Sequence, residues 1–235
     1  MIWKVPRMWE NEDVWILGGG PSVLKQFEIP NKVIQNVMDG TSPASVYSPY
    51  LSKLHDKHVI GINVAFMMGD WMDMIFFGDD GFFKRYEQQL ADYSGLKVTC
   101  TDLASTNAVE WVKYLAKDKE HVKGITKNPS KVSWNHNSGS AAISLAAHTG
   151  AKKIILLGFD MNVNENKNMH WHDIYKRGKV ETPKDWKHWQ PILERQMLGF
   201  KQIAKDAEER GITIINASLT SAITQFPKVA VKYLL

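Results

Sequence analysis

Short apolar runs recur along the chain, each closed by turn residues, with helix-like stretches between them. The runs are Val14–Leu17, Val59–Val64, Met74–Phe77, Leu96–Cys100, Lys153–Leu157 and Ile212–Asn216. Their length suits strands rather than helices. Most are continuously apolar instead of alternating, the pattern of strands covered on both faces. Helical spacing appears over Phe82–Tyr93, Ala108–Ala116, Ser138–His148 and Ile192–Arg210, the last closed by Gly211. Strands alternating with helices predict an α/β, Rossmann-like fold: a mostly parallel sheet with helices on both faces. The 235 residues are enough for one such domain spanning the chain, 1–235.

Two segments break the alternation. Asn31–Lys57 mixes Gly, Pro, Ser and Tyr and reads as a long connection. The stretch 162–189 carries His170, His172 and His188 with Trp171, Trp186 and Trp189, among many charges and without a clear period. A polar segment of that length reads as a lid or acceptor-binding insertion.

Composition excludes several classes. With 44% hydrophobic and 23% charged residues the chain is not disordered. No apolar run reaches the ~18 residues of a membrane span. The opening MIWKVPRMWENED has no signal-like apolar core, so a cytoplasmic location is expected. A single cysteine, Cys100, excludes a disulfide scaffold and a cysteine-built zinc site. The net charge of +4 tilts the protein toward anionic partners such as nucleotides or phosphates. Without a clustered patch it does not argue for DNA binding.

The candidate chemistry gathers at strand ends. Gly18-Gly19-Gly20-Pro21-Ser22 follows the first run, where glycines admit a ligand close to the backbone and helix-start amides attract anions. It is not the dinucleotide fingerprint, because position 23 is valine and the second strand ends in Asn63 rather than an acid. Asn63 could bond a ribose or a base edge, or close its own turn. Asp79 and Asp80 follow the third run, where Asp80 reads as a helix cap and Asp79 as the functional candidate, metal included. Ser138 and Gly139 open an alanine-rich helix and could meet an anion. Gly158 and Asp160 end the most apolar strand, where such sheets place functional residues. His170 and His172 alternate on one side of an extended segment and could hold a metal, or one could act as acid or base.

In their order along the chain these pieces resemble one family. They are Gly-Gly-Gly-Pro-Ser, then Asn63, then Asn-Ser-Gly-Ser opening the alanine-rich helix. Gly-Ala-Lys-Lys-Ile-Ile-Leu-Leu-Gly-Phe-Asp at 150–160 and Ile-Ile-Asn-Ala-Ser-Leu-Thr-Ser-Ala near the end complete the set. The arrangement is similar to the bacterial sialyltransferases of glycosyltransferase family 42. It also resembles the related motility-accessory-factor domain, small phage-encoded proteins of that type and, by pattern, the archaeal 6-hydroxymethylpterin pyrophosphokinase. The match covers roughly 13–225, and the block from Asn137 to Asp160 is its most specific part.

The resemblance implies a nucleotide-sugar donor, CMP-sialic acid in the sialyltransferases, held by Gly20, Pro21, Ser22, Asn63, Ser138, Gly139, Gly158, Phe159 and Asp160; Gly18, Gly19 and Asp79 join these nucleotide-binding candidates by their place at strand ends, and the donor is expected to be CMP- or UDP-linked. The resemblance also implies a histidine base without a required cofactor: His188, which precedes the last long helix, with His170 and His172 as competitors. Trp171, Trp186 or Trp189 would stack on the acceptor, be it a glycan, a protein or a modified nucleic acid. The sequence departs from the sialyltransferases in carrying the Asp79-Asp80 pair and in having Met161 where they place a tyrosine. The first alternative is a Mg-dependent pyrophosphokinase with the metal on Asp79 and Asp80. The second is a non-catalytic nucleotide-binding phage accessory protein. Exposed tryptophans would serve a homo-oligomer contact equally well.

Overall fold

The computed structural model describes residues 2–101, 109–162, 169–172, 174 and 186–235, with the backbone alone at 186–189. β1 (Asp13–Leu17) runs through the interior of a seven-stranded sheet. On one side of it lie β2 (His58–Ile62), β3 (Met74–Phe77), β4 (Leu96–Thr99) and β5 (Val112–Tyr114), in that order. A short separate pair follows, β6 (Ala116–Lys117) with β7 (Lys131–Val132). The chain then returns to the other flank of β1 as β8 (Lys153–Leu157) and β9 (Thr213–Asn216). Every neighbouring pair in the large sheet is parallel. Leu17 stands level with both Gly61 and Leu157, so the loops after β1, β2 and β8 leave the sheet along one edge. The order reverses between β1 and β8, and that crevice is where open α/β sheets take their ligands.

Alternation of side chains along β1 and β8 creates two apolar layers. Val14, Ile16, Ile154 and Leu156 face one way. They meet α4 (Ser138–His148) and α6 (Phe200–Glu209) through Ala141, Leu145, Phe200 and Ile203. Trp15, Leu17, Ile155 and Leu157 face the other way. There they meet α1 (Ser22–Gln26), α2 (Asn31–Asp39) and α3 (Asp80–Asp92) through Val23, Val37, Phe82 and Phe83. From Gly139 to His148 every residue of α4 is buried. Its polar residues, Ser140, Ser144 and His148, are buried with the rest and none carries a fixed charge, so the helix lies inside, and its alanines let it settle close to the sheet.

Three expectations are corrected by the fold. The helix expected over 108–116 is absent from its described part, where β5 and the start of β6 stand. There Trp3 and the strand edge take up the backbone groups of Tyr114 and Leu115. The single helix expected over 192–210 is two, α5 (Trp186–Met197) and α6. The break falls at Leu198-Gly199, where a Cβ on Gly199 would lie 2.4 Å from Asn135 Oδ1. Close passage of the backbone past Asn135 decides the break, and local propensity does not reveal it. The connection over 31–57 contains α2, closed by Gly40 at φ 79°, and a 3₁₀ run over Ala44–Leu54. Pro30 starts α2 without a side-chain cap, so the usual signal for its beginning is missing.

One buried group makes stability depend on pH. His148, 7% exposed at the end of α4, donates from Nε2 to the Lys131 carbonyl oxygen at 3.1 Å. Burial pushes its pKa down to about 4. The unfolded chain takes up this proton near the ordinary value of 6.5, the folded protein only near 4. Stability is therefore full above that upper value and declines as pH falls toward the lower one, by about 3 kcal/mol. Urea denaturation at pH 7 and pH 4.5 should show this loss in the wild type, and a smaller one in His148→Leu.

Candidate active site at the reversal of the sheet

A cavity of about 700 Å³ opens at the carboxyl edge of the sheet. Its floor is Gly18, Gly19 and Gly20 after β1 and Gly158, Phe159 and Asp160 after β8. Asn63 enters from the end of β2, Asp79, Phe82, Arg85 and Tyr86 from the start of α3, and Trp134, His136, Asn137, Ser138 and Gly139 from the approach to α4. His170, His172, Leu193 and Gln196 are also among the lining residues. The segments after β1, β2, β3 and β8 and the start of α4, separated in sequence, thus share one volume.

The two loops of the floor are tied to each other. The Gly18 amide donates to the Leu157 carbonyl and the Gly20 amide to the Gly158 carbonyl, both at 2.8 Å. Asp160, 4% exposed, accepts from the Ser22 amide at 2.9 Å and from the Ser22 hydroxyl. The same hydroxyl meets Ser218 Oγ at 2.8 Å. Ser218 and Ser221 in turn bond the backbone of Phe159, and the Ala222 amide donates to the Asp160 carbonyl. The Asn-Ala-Ser-Leu-Thr-Ser-Ala segment after β9 therefore supports the loop after β8 from behind.

This bonding changes what the glycine and serine motifs offer. Asn137 caps α4 by accepting from the Gly139 and Ser140 amides. Five candidate anion donors, the amides of Gly18, Gly20, Ser22, Gly139 and Ser140, thus already have acceptors inside the protein. The amides of Gly19 and Ser138 have none among the described residues. Asn63 holds a left-handed backbone at φ 52° and lines the cavity, and its Oδ1 is buried without a partner among the described residues. A buried carbonyl oxygen left unpaired in a cleft calls for a donor from a guest.

The histidine segment has a mechanical explanation. Trp171 is 1% exposed and sits edge-on to Tyr47, ring centroids 6.0 Å apart. Its backbone amide donates to the Gly19 carbonyl at 2.9 Å and its indole to the Gly18 carbonyl at 3.2 Å. The tryptophan expected to stack on an acceptor is instead the anchor that docks this segment on the glycine loop. The flanking rings, His170 and His172, lie parallel at 5.2 Å beside the cavity. His172 is buried, and its Nδ1 accepts from the Ile174 amide. Trp186, His188 and Trp189 begin α5, but their side chains lie outside the described residues, as does most of the proposed lid.

The acidic pair is divided. Asp79, not Asp80, caps α3 by accepting from the Phe82 amide at 2.9 Å, and it lines the cleft. Asp80 is exposed and stands outside the lining. Among the described residues no group of three or more His, Cys, Asp or Glu side chains is placed to hold a metal. Pro21 is buried at the entry to α1 and Ser22 lies behind the floor, so neither lines the cavity. Sequence reasoning missed Arg85, Trp134 and His136. Arg85 stands over the Tyr86 ring at 5.9 Å, and burial raises the Tyr86 phenol above its ordinary pKa. The presence of Trp and His just ahead of Asn-Ser-Gly was the available signal for the other two.

Fold and cleft together define a class: an α/β protein with a parallel sheet and a ligand-sized crevice at its order reversal. The sequence matches no family model and no curated protein. Among solved structures it is similar to the sialyltransferase CstII from Campylobacter jejuni in complex with a substrate analogue, cytidine-5'-monophosphate. That pair is 13% identical, with 94% of this chain and 86% of that one covered and a TM-score of 0.49. The complex of the same enzyme with CMP-3FNeuAc gives 15% identity, 93% and 85% coverage and a TM-score of 0.48. No described helix is long and apolar enough to cross a membrane.

Proposed function

We propose that the chain is a sialyltransferase-like glycosyltransferase that takes a nucleotide-activated sugar, CMP- or UDP-linked, in the crevice between β1 and β8. The observation that carries this reading is the composition of the cleft. One volume is lined by Asn63, whose buried side-chain oxygen has no partner among the described residues, the Ser138 side of α4, two stacked imidazoles and apolar walls from Phe82, Trp134 and Phe159. A few convergent polar groups on an apolar cavity are what orient a nucleotide-sized ligand.

The chemistry is a displacement at the anomeric carbon. The acceptor oxygen forms its bond to that carbon, its proton passes to a histidine, and the electron pair of the broken bond goes to the nucleotide phosphate. His188 takes the proton in this reading, with His170 the alternative because its ring is the more open of the described pair. His188→Ala should abolish transfer and leave nucleotide binding intact. The acceptor is a glycan, a protein or a modified nucleic acid, met by the segment 162–189.

A thermal-shift series with CMP, UDP, GDP and ATP, each with and without Mg²⁺, tests the proposal. At a hundred times its dissociation constant a bound nucleotide adds about 2.7 kcal/mol, or a shift of about 5 °C or more. A metal-independent shift with CMP or UDP is expected. A shift only with ATP and Mg²⁺ would move the assignment to pyrophosphoryl transfer, and no shift with any of them would remove the nucleotide from the account.

A further inference from the structure

The strap over Ser133–Asn137, which leads from β7 into α4, alternates its side chains. Ser133 and Asn135 are fully buried, while Trp134 and His136 line the cavity. Asn135 and His136 are consecutive left-handed residues, φ 51° and 56°. That conformation is disfavoured for residues with a Cβ and persists only where surroundings enforce it. Asn135 provides the enforcement. Its side chain accepts from the Gly124 amide at 2.8 Å and donates to the Gly124 and Ser133 carbonyls at 3.0 and 2.9 Å. Its own amide donates to Val122 at 2.8 Å. The His136 ring, by contrast, is exposed and bonded to no protein group among the described residues. The strain held at Asn135 thus sets an imidazole at the cleft wall, next to Asn137 and Ser138.

A displacement of the kind proposed above sends an electron pair onto a phosphate oxygen, and that oxygen needs a donor. Of the loop and helix-start amides only those of Gly19 and Ser138 remain open, so a side chain beside them is the further donor to look for. Four cleft residues are capable of positive charge: Arg85, His136, His170 and His172. Arg85 lies over Tyr86. His170 and His172 stack face to face at 5.2 Å on the segment that Trp171 docks onto the glycine loop. That pair suits the acceptor side of the reaction. His136 comes from a different element and lines the cleft with Ser138, two residues further on.

We propose that His136 is a second catalytic residue of this cleft, the group that binds the nucleotide phosphate in the donor and holds its oxygen as the sugar departs. The inference rests on reading the cleft as a nucleotide-sugar site. In the step, the acceptor oxygen–carbon bond forms and the carbon–phosphate-oxygen bond breaks. The acceptor proton goes to the base, and the freed electron pair stays on the phosphate oxygen within the His136 N–H bond.

The test uses His136→Gly and His136→Asn in the full chain, since both residues accept a left-handed backbone. Affinities are measured for CMP, UMP, GMP and AMP, each against its own nucleoside. In the wild type at least one monophosphate should bind about tenfold or more tighter than its nucleoside, and both variants should lose that increment with nucleoside affinity unchanged. If a monophosphate binds and the variants keep the increment, His136 has no such role and the nucleotide reading stands. If no monophosphate binds the wild type, both readings fall. The melting temperature of each unliganded variant, unchanged or raised, separates loss of a contact from loss of fold.

Discussion

Asp160→Ala will cost about 2–3 kcal/mol of stability, because it leaves the Ser22 amide without an acceptor between two packed loops. The expectation follows from position. Asp160 is 4% exposed and joins the loop after β8 to the start of α1, 138 residues away in sequence. Its carboxylate is thus a fastening for the cleft floor rather than a reagent. Asp160→Asn keeps one acceptor oxygen and should lose less than half as much. Nucleotide affinity should fall by about tenfold in the alanine variant, since Gly19 loses its fixed place when the floor loosens. Urea denaturation with ligand titration measures both, and a stability change below about 0.5 kcal/mol would show that the carboxylate is not holding the loops.

The second large effect belongs to Gly20. A Cβ there would stand 2.6 Å from Asp160 Cγ, from Asp160 Oδ2 and from the Gly158 carbonyl oxygen. One of these is backbone, and the carboxylate is pinned by Ser22, so neither can yield cheaply. Gly20→Ala should therefore destabilise by about 3 kcal/mol, the range of a forced overpacking. Gly19→Ala gives the contrast within the same turn. The three atoms nearest its Cβ all belong to the His170 ring, with Nδ1 at 2.8 Å, and a side chain at a cavity edge yields more cheaply than backbone. That variant should change stability by less than about 1 kcal/mol while lowering turnover, because it displaces an imidazole from the cleft. Equal effects at the two positions, read by thermal denaturation, would contradict this division between a packing glycine and a clearance glycine.

Much of the architecture was legible because parallel strands covered on both faces need continuous apolar runs, and six of those stood out in the chain. β5, β6 and β7 did not, since three- and two-residue strands carry too little pattern to be read. The place of the cleft was also legible, as glycines and polar residues cluster where strands end. The roles inside it were not. Ser22 and Asp160 look like ligand-binding residues in sequence, and they bond each other. Trp171 looks like a stacking platform between two histidines, and it is a core residue. In each case the deciding fact is a partner distant along the chain.

By itself, the order of residues determined the layer arrangement, the edge of the sheet at which ligands enter and the neighbourhood of the alanine-rich helix. These depend on periodicity and on local backbone freedom, which are written consecutively. Only the tertiary structure decided which polar groups remain available to a guest. The amides of Gly18, Gly20, Ser22, Gly139 and Ser140 are taken by Leu157, Gly158, Asp160 and Asn137, whereas those of Gly19 and Ser138, together with the His136 ring at the cavity wall, are left open among the described residues. A hydrogen-bonding group can serve a ligand only if the folded chain has not already satisfied it, and that depends on long-range pairing that no local pattern encodes.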